Sequence, residues 1–129
     1  MSKIDGTNLK RLPVKYIRDR AKSAYTKDTK CFICGTEEAL ELHHFNTVDV
    51  LWEVWVRTNK IQIKSVDDIL LYRDKFIEEH KVELYDKVVT LCSSHHDKLH
   101  SVYGKAPLLS TAAKQENWVN IQRSKHVAI

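Results

Sequence analysis

Glycine and proline are scarce in this chain of 129 residues, at three and two, and no Ser- or Gly-rich stretch or internal repeat interrupts it. No flexible linker is therefore expected, and residues 1–129 read as one domain built from helices, strands and short turns. Long apolar runs are missing too. None exceeds four residues, far short of the roughly 20 that cross a bilayer. The opening residues Met1-Ser2-Lys3-Ile4-Asp5 have no apolar stretch of secretory type, so a soluble cytoplasmic protein without a membrane partner is expected. Cysteine is limited to three, an odd number, and Cys31 and Cys34 are separated only by Phe32 and Ile33. That count argues against a disulfide framework and suits a metal knuckle in a reducing compartment.

The charge that is present lies unevenly. The net charge is +4, yet residues 1–30 carry nine Lys or Arg against three Asp, leaving 12 basic and 14 acidic residues for 31–129. Lys10, Arg11, Lys15, Arg18, Arg20 and Lys22 could neutralise a nucleic-acid backbone, giving affinity that falls with salt and carries little sequence information. A solvated helix face is the alternative reading of that stretch.

Apolar spacing predicts the elements. Pro13 suits the first turn of a helix reaching about Tyr25, with Val14, Ile17, Ala21 and Ala24 inward. Leu40–Phe45 and Lys87–Cys92 read as strands. Ser93 or Ser94 can cap a helix to about Tyr103, which Gly104 would stop. Between the strands, residues 46–86 look like an insertion. Within it Val48–Arg57 alternates like a strand but carries a polar helical stripe, and helix is preferred. Ser65 and Asp68 resemble a capping box before a helix with Val66, Ile69, Leu70, Phe76 and Ile77 inward. A last helix over about Ser110–Arg123 would bury Trp118 and Ile121. Trp52, Trp55 and Tyr72 read as core side chains, with stacking on bases as the alternative.

The chemistry lies in the cysteines and clustered histidines. Cys31 and Cys34 form a C-x-x-C half-site, and Cys92 with His95 forms C-x-x-H, together a four-ligand set suited to structural zinc. Gly35 would let the backbone turn under the metal. His96 and His100, four apart on a helix, share a face and can grip one cation, whereas His95 points about 100° away and is free for the knuckle. His43 and His44, neighbours on a strand, project to opposite faces, so one can join the ligands while the other addresses a water. His80 and His126 read as ordinary surface or core residues.

The strings Cys31-Phe32-Ile33-Cys34, Leu42-His43-His44-Phe45 and Leu91-Cys92-Ser93-Ser94-His95-His96, with His100 beyond, resemble the HNH endonuclease family of the ββα-metal (His-Me finger) superfamily. A basic N-terminal helix over 1–27 and a C-terminal helix over 105–129 are read from charge and apolar spacing and lie outside the resemblance. Over 28–104 the resemblance implies an α+β fold: a small ββα-metal finger core with a treble-clef-like zinc knuckle and a helical insertion over about 46–86. It implies His44 as general base, His43, His96 and His100 as ligands of a catalytic divalent cation, and Cys31, Cys34, Cys92 and His95 as structural zinc ligands. The cation would be Mg2+ or Mn2+, with Zn2+ or Ni2+ also suited to three imidazoles. His95 stands where a cysteine is commoner. Lys87 stands where the family has its asparagine, and could contact the scissile phosphate, with Asp86 orienting the site or reaching the metal; a solvated strand lysine is the bland reading. The implied activity is metal-dependent hydrolysis of DNA, double-stranded by preference, in a phage or mobile-element setting. A nick by one copy and a duplex break by a homodimer both remain open. A non-catalytic, zinc-dependent nucleic-acid-binding module is the alternative function.

Overall fold

Two five-residue strands, β1 (Leu40–His44) and β2 (Val88–Cys92), pair antiparallel with Leu40 opposite Cys92 and His44 opposite Val88. The computed structural model describes residues 12–127, and in it this pair forms the one sheet found among the described residues. Side chains alternate across a strand, so His43 turns to the buried face while His44 turns to the other. Helix α4 (Ser93–Tyr103) follows β2 directly and packs against both strands.

The chain between the strands is helical. Before β1 comes α1 (Leu12–Ala21), and between the strands run α2 (Val48–Thr58), α3 (Val66–Glu79) and a π-helical turn over Val82–Asp86. Val48, Leu51, Trp52 and Trp55 recur at helical spacing and are all buried, which resolves Val48–Arg57 as a helix. Phe76, fully buried, meets Trp52 and Trp55 edge-on at 5.3 and 5.5 Å between ring centres, so these aromatics are core rather than base-stacking platforms. Ile17 of α1 and Leu84 of the π turn complete this helical core, and Tyr72 packs at its margin. Each such side chain, fully buried, contributes about 1.5–3 kcal/mol.

A second core joins the sheet to the chain's end. Ile33, Phe45, Leu91, Leu99 and Val119 pack with Cys31 and Cys92. Val119 comes from α5 (Ala112–Val127), which follows a 3-10 turn over Leu109–Thr111.

Several boundaries differ from the sequence reading. Helix α1 gives way at Ala21 to a 3-10 turn, Lys22–Ala24, which leaves Ala24 exposed. At α4 neither serine caps; Cys92 is the cap residue, and the Ser93 N–H donates to the Ala39 carbonyl at 2.9 Å. Ser65 does cap α3, accepting the Asp68 N–H at 3.3 Å, but Asp68 reaches past it to the Lys64 N–H at 2.8 Å. Helix α5 buries Gln115 and Val119, four apart, leaving Trp118 half-buried and Ile121 46% exposed. Ile121 lies about 200° around the helix from Val119, so only one of the two can face the core. Among the described residues no helix is long and apolar enough to cross a membrane.

Candidate active site and metal centres

The knuckle is built by backbone bonds. The Gly35 N–H returns to the Cys31 carbonyl at 2.9 Å with Gly35 at φ +76°, a left-handed turn that a side chain would strain. The Phe32 N–H donates to the Thr90 carbonyl at 2.9 Å, tying the knuckle to β2. Cys34 Sγ then lies 3.9 Å from Cys92 Sγ, and His95 Nδ1 lies 3.3 Å from Cys92 Sγ. The ligand atoms of Cys31, Cys34, Cys92 and His95 all fall within 4.8 Å of one another, a set that could hold a metal ion. Burial opposes ionisation of the Cys31 thiol, but backbone hydrogen bonds at Cys34, Cys92 and Ile33 outweigh it and lower its pKa. Burial, aided by Lys98 and His126, lowers that of His95 and favours the neutral ring that can ligate.

A second cluster sits where β1 meets α4. His43 Nδ1 is 3.1 Å from His96 Nε2, which is 3.0 Å from His100 Nε2, and these three atoms also could hold a metal ion. Each ring is anchored through its other nitrogen. His43 Nε2 bonds Gln115 Oε1 at 2.8 Å, His96 Nδ1 bonds Glu41 Oε1 at 2.9 Å, and His100 Nδ1 bonds the Gly104 carbonyl at 2.7 Å. With those outer nitrogens donating, three lone pairs converge, an arrangement that repels itself unless a cation or proton enters. Burial, reinforced by the neighbouring His96 and His100, lowers the His43 pKa to about 4, against the hydrogen bond to Gln115.

His44 faces away from this cluster's anchors. Its Nε2–H donates to the Leu84 carbonyl of the π turn at 3.0 Å, leaving Nδ1 with its lone pair. Tyr25 meets the ring edge-on at 5.1 Å. Burial lowers the His44 pKa, Arg18 lowers it further, and the bond to Leu84 opposes both.

One cleft of about 590 Å³ collects these groups: His43, His44, His96 and His100 line it together with Arg18, Lys22, Tyr25 and Lys105. Its walls therefore join imidazole nitrogens to cations from α1, from the 3-10 turn after it and from the segment after α4. A family model described as the nicking endonuclease family, of phage T5 type, matches residues 4–129. The chain belongs to that family. Members are endonucleases, hydrolases that act on DNA. No solved structure matches the chain.

In this member of the family the residues expected from sequence fall into three groups. The residues of both expected sets come together in groups that could hold a metal ion, and Arg18 and Lys22 join the histidine cleft. Lys15 and Arg20 are exposed outside it, Arg20 within 3.5 Å of Asp74, while Lys10 and Arg11 lie outside the described residues. Asp86 and Lys87 are exposed and do not line the cleft; the π turn presents the Leu84 carbonyl instead. His80 is a satisfied ring stacked on Phe76 and bonded to its carbonyl, and His126 lies edge-on to His95. Sequence reading missed Tyr25, Glu41, Lys105 and Gln115. Glu41 carries a weak signal, two residues before His43 on the same strand face; the others carry none.

Proposed function

We propose that this chain is an HNH-type nuclease of the ββα-metal class, one domain that nicks double-stranded DNA. His44 is its general base. His43, His96 and His100 hold the catalytic divalent cation, and Cys31, Cys34, Cys92 and His95 hold structural zinc. The order strand, strand, helix with a histidine pair on the first strand supports the class. The observation that carries the reading is that His44, with its Nε2–H committed to Leu84, shares one basic cleft with three converging ring nitrogens.

Both ligand sets fit their metals. Zinc–sulfur bonds of about 2.3 Å set tetrahedral edges near 3.8 Å, and the Cys34–Cys92 separation is 3.9 Å. Metal–nitrogen bonds of about 2.1 Å set edges near 3.0 Å at right angles and near 3.4 Å in a tetrahedron. The histidine separations of 3.0 and 3.1 Å are short enough for one cation to bind all three rings. Magnesium or manganese is the proposed working ion, though imidazoles also suit nickel or zinc.

Bound there, the cation would supply charge stabilisation to a phosphate oxygen and to the leaving oxygen. His44 Nδ1 takes a proton from a water, whose oxygen then bonds to phosphorus as the bond to the 3' oxygen breaks. The 3' oxygen takes a proton from solvent, leaving 5'-phosphate and 3'-hydroxyl ends. Arg18, Lys22 and Lys105 draw in the phosphates on either side. Tyr25, whose hydroxyl is buried without a partner among the described residues, offers a donor in the cleft.

The test is a supercoiled plasmid incubated with Mg2+ or Mn2+. Wild type should produce open circles, His44→Ala and an EDTA control should not, and His44→Ala should still bind DNA. Cutting that survives His44→Ala removes the assigned base; DNA binding with no metal-dependent cutting by wild type points to a binding module.

A further inference from the structure

Gln115 is buried completely, yet it sits on the C-terminal helix α5, 72 residues along the chain from His43. Its carboxamide uses both N–H hydrogens and its oxygen in one line of contacts. The Nε2 hydrogens go to Thr111 Oγ1 at 2.9 Å and to the Phe45 carbonyl at 3.3 Å, and Oε1 meets His43 Nε2 at 2.8 Å.

The direction of this line is fixed from its far end. The Leu108 carbonyl can only accept, so the Thr111 hydroxyl donates to it, at 2.6 Å. With that hydrogen spent, Thr111 Oγ1 can only accept from Gln115. The Phe45 carbonyl likewise can only accept. Two acceptors therefore hold both amide hydrogens on one side and leave Oε1 facing His43. An oxygen there requires a hydrogen on His43 Nε2, which places the lone pair on Nδ1, the atom 3.1 Å from His96 Nε2. A flipped amide would set Oε1 against the Phe45 carbonyl and would demand the opposite tautomer, with Nδ1–H pointing into the cluster and blocking a ligand bond.

We propose that Gln115 is the positioning residue of the cation site: it sets the tautomer of His43 and ties the ring to the backbone just after the His43-His44 pair. This rests on the reading of His43 as a cation ligand. In the native chain one carboxamide accepts from His43 and donates to Phe45 and Thr111, and it is the acceptor that sets the tautomer. Helix α5 thereby acts on the cleft without touching DNA or metal.

The test uses the zinc-loaded protein with 15N-labelled histidine and no other divalent cation. Long-range proton–nitrogen spectra should show His43 as a single Nε2–H tautomer in wild type, a result that does not depend on any variant folding. Mn2+ affinity, read as free Mn2+ by electron paramagnetic resonance, should fall by about tenfold to a hundredfold in Gln115→Leu. Tightly held zinc should stay unchanged. Gln115→Glu keeps the acceptor, so it should retain the Nε2–H tautomer and bind Mn2+ within a few-fold of wild type. A mixed or Nδ1–H population in wild type overturns the proposal. So does unchanged affinity in Gln115→Leu, or a Gln115→Glu loss as large as that of Gln115→Leu, as packing alone would produce. Wild type with the Nε2–H tautomer but no Mn2+ binding supports the relay and overturns the cation reading on which it rests.

Discussion

His95 and His96 are adjacent on α4 yet serve different clusters: His95 Nδ1 lies 3.3 Å from Cys92 Sγ, while His96 Nε2 lies 3.1 Å from His43 Nδ1. One step along a helix turns about 100°, so a single backbone holds both sets at a fixed separation. Disturbing the knuckle should therefore be felt in the cleft.

Cys31→Ser removes one of the four proposed ligands, and three would hold a zinc ion far less tightly. Elemental analysis should find zinc near one per chain in wild type and much less in the variant. Because structural zinc contributes folding free energy outright, thermal melting should fall by more than about 10 °C. Equal zinc in the two proteins would remove Cys31 from the set.

Acid should destabilise the protein when its histidine site is free of metal. His43 titrates at about 4 when folded but near 6.5 when unfolded, so between those values the unfolded chain binds the extra proton. The contribution is present above pH 6.5 and is lost as pH falls through 4, about 3 kcal/mol in all. Urea unfolding across that window should report it, and His43→Gln should flatten the slope; a slope that persists unchanged excludes His43 as its source.

Arg18 acts on His44 through space. Burial and the Arg18 guanidinium lower the His44 pKa, so the neutral base should persist below pH 6.5 and the acid limb of kcat/KM should lie there. Arg18→Gln raises that pKa and moves the limb to higher pH. It should also weaken DNA binding and reduce the salt slope by roughly one. A limb that does not move would disconnect Arg18 from the base.

Phe76→Ala should cost about 3–5 kcal/mol, since the ring is fully buried among Trp52, Trp55 and His80. Leu84 belongs to the same core and its carbonyl holds His44. Nicking should therefore fall in Phe76→Ala at temperatures where the protein stays folded, while zinc content holds. Activity equal to wild type under those conditions would show the π turn to be independent of the helical core.

The half-sites were legible because their geometry is local: three or four residues apart on a turn or helix places side chains together before any tertiary packing exists. The partners that anchor them were not. Leu84 acts through its main chain, which every residue possesses, and Gln115 belongs to a type usually exposed on helices. The strand alternation of Val48–Val56 competed with helical spacing until Trp52 and Trp55 found Phe76. Lys87 shows the limit in the other direction: a position read by analogy as part of the site is exposed, and the cations that line the cleft are Arg18, Lys22 and Lys105.

The two strands are neighbours in space but are separated by residues 45–87, so they cannot zip up from a tight turn. Joining them closes a long loop, and that entropy is smaller once the intervening chain has already shortened itself into helices. The pairing of β1 with β2 brings Cys92 to Cys34 and His96 to His43, so both clusters depend on the closure of that long loop.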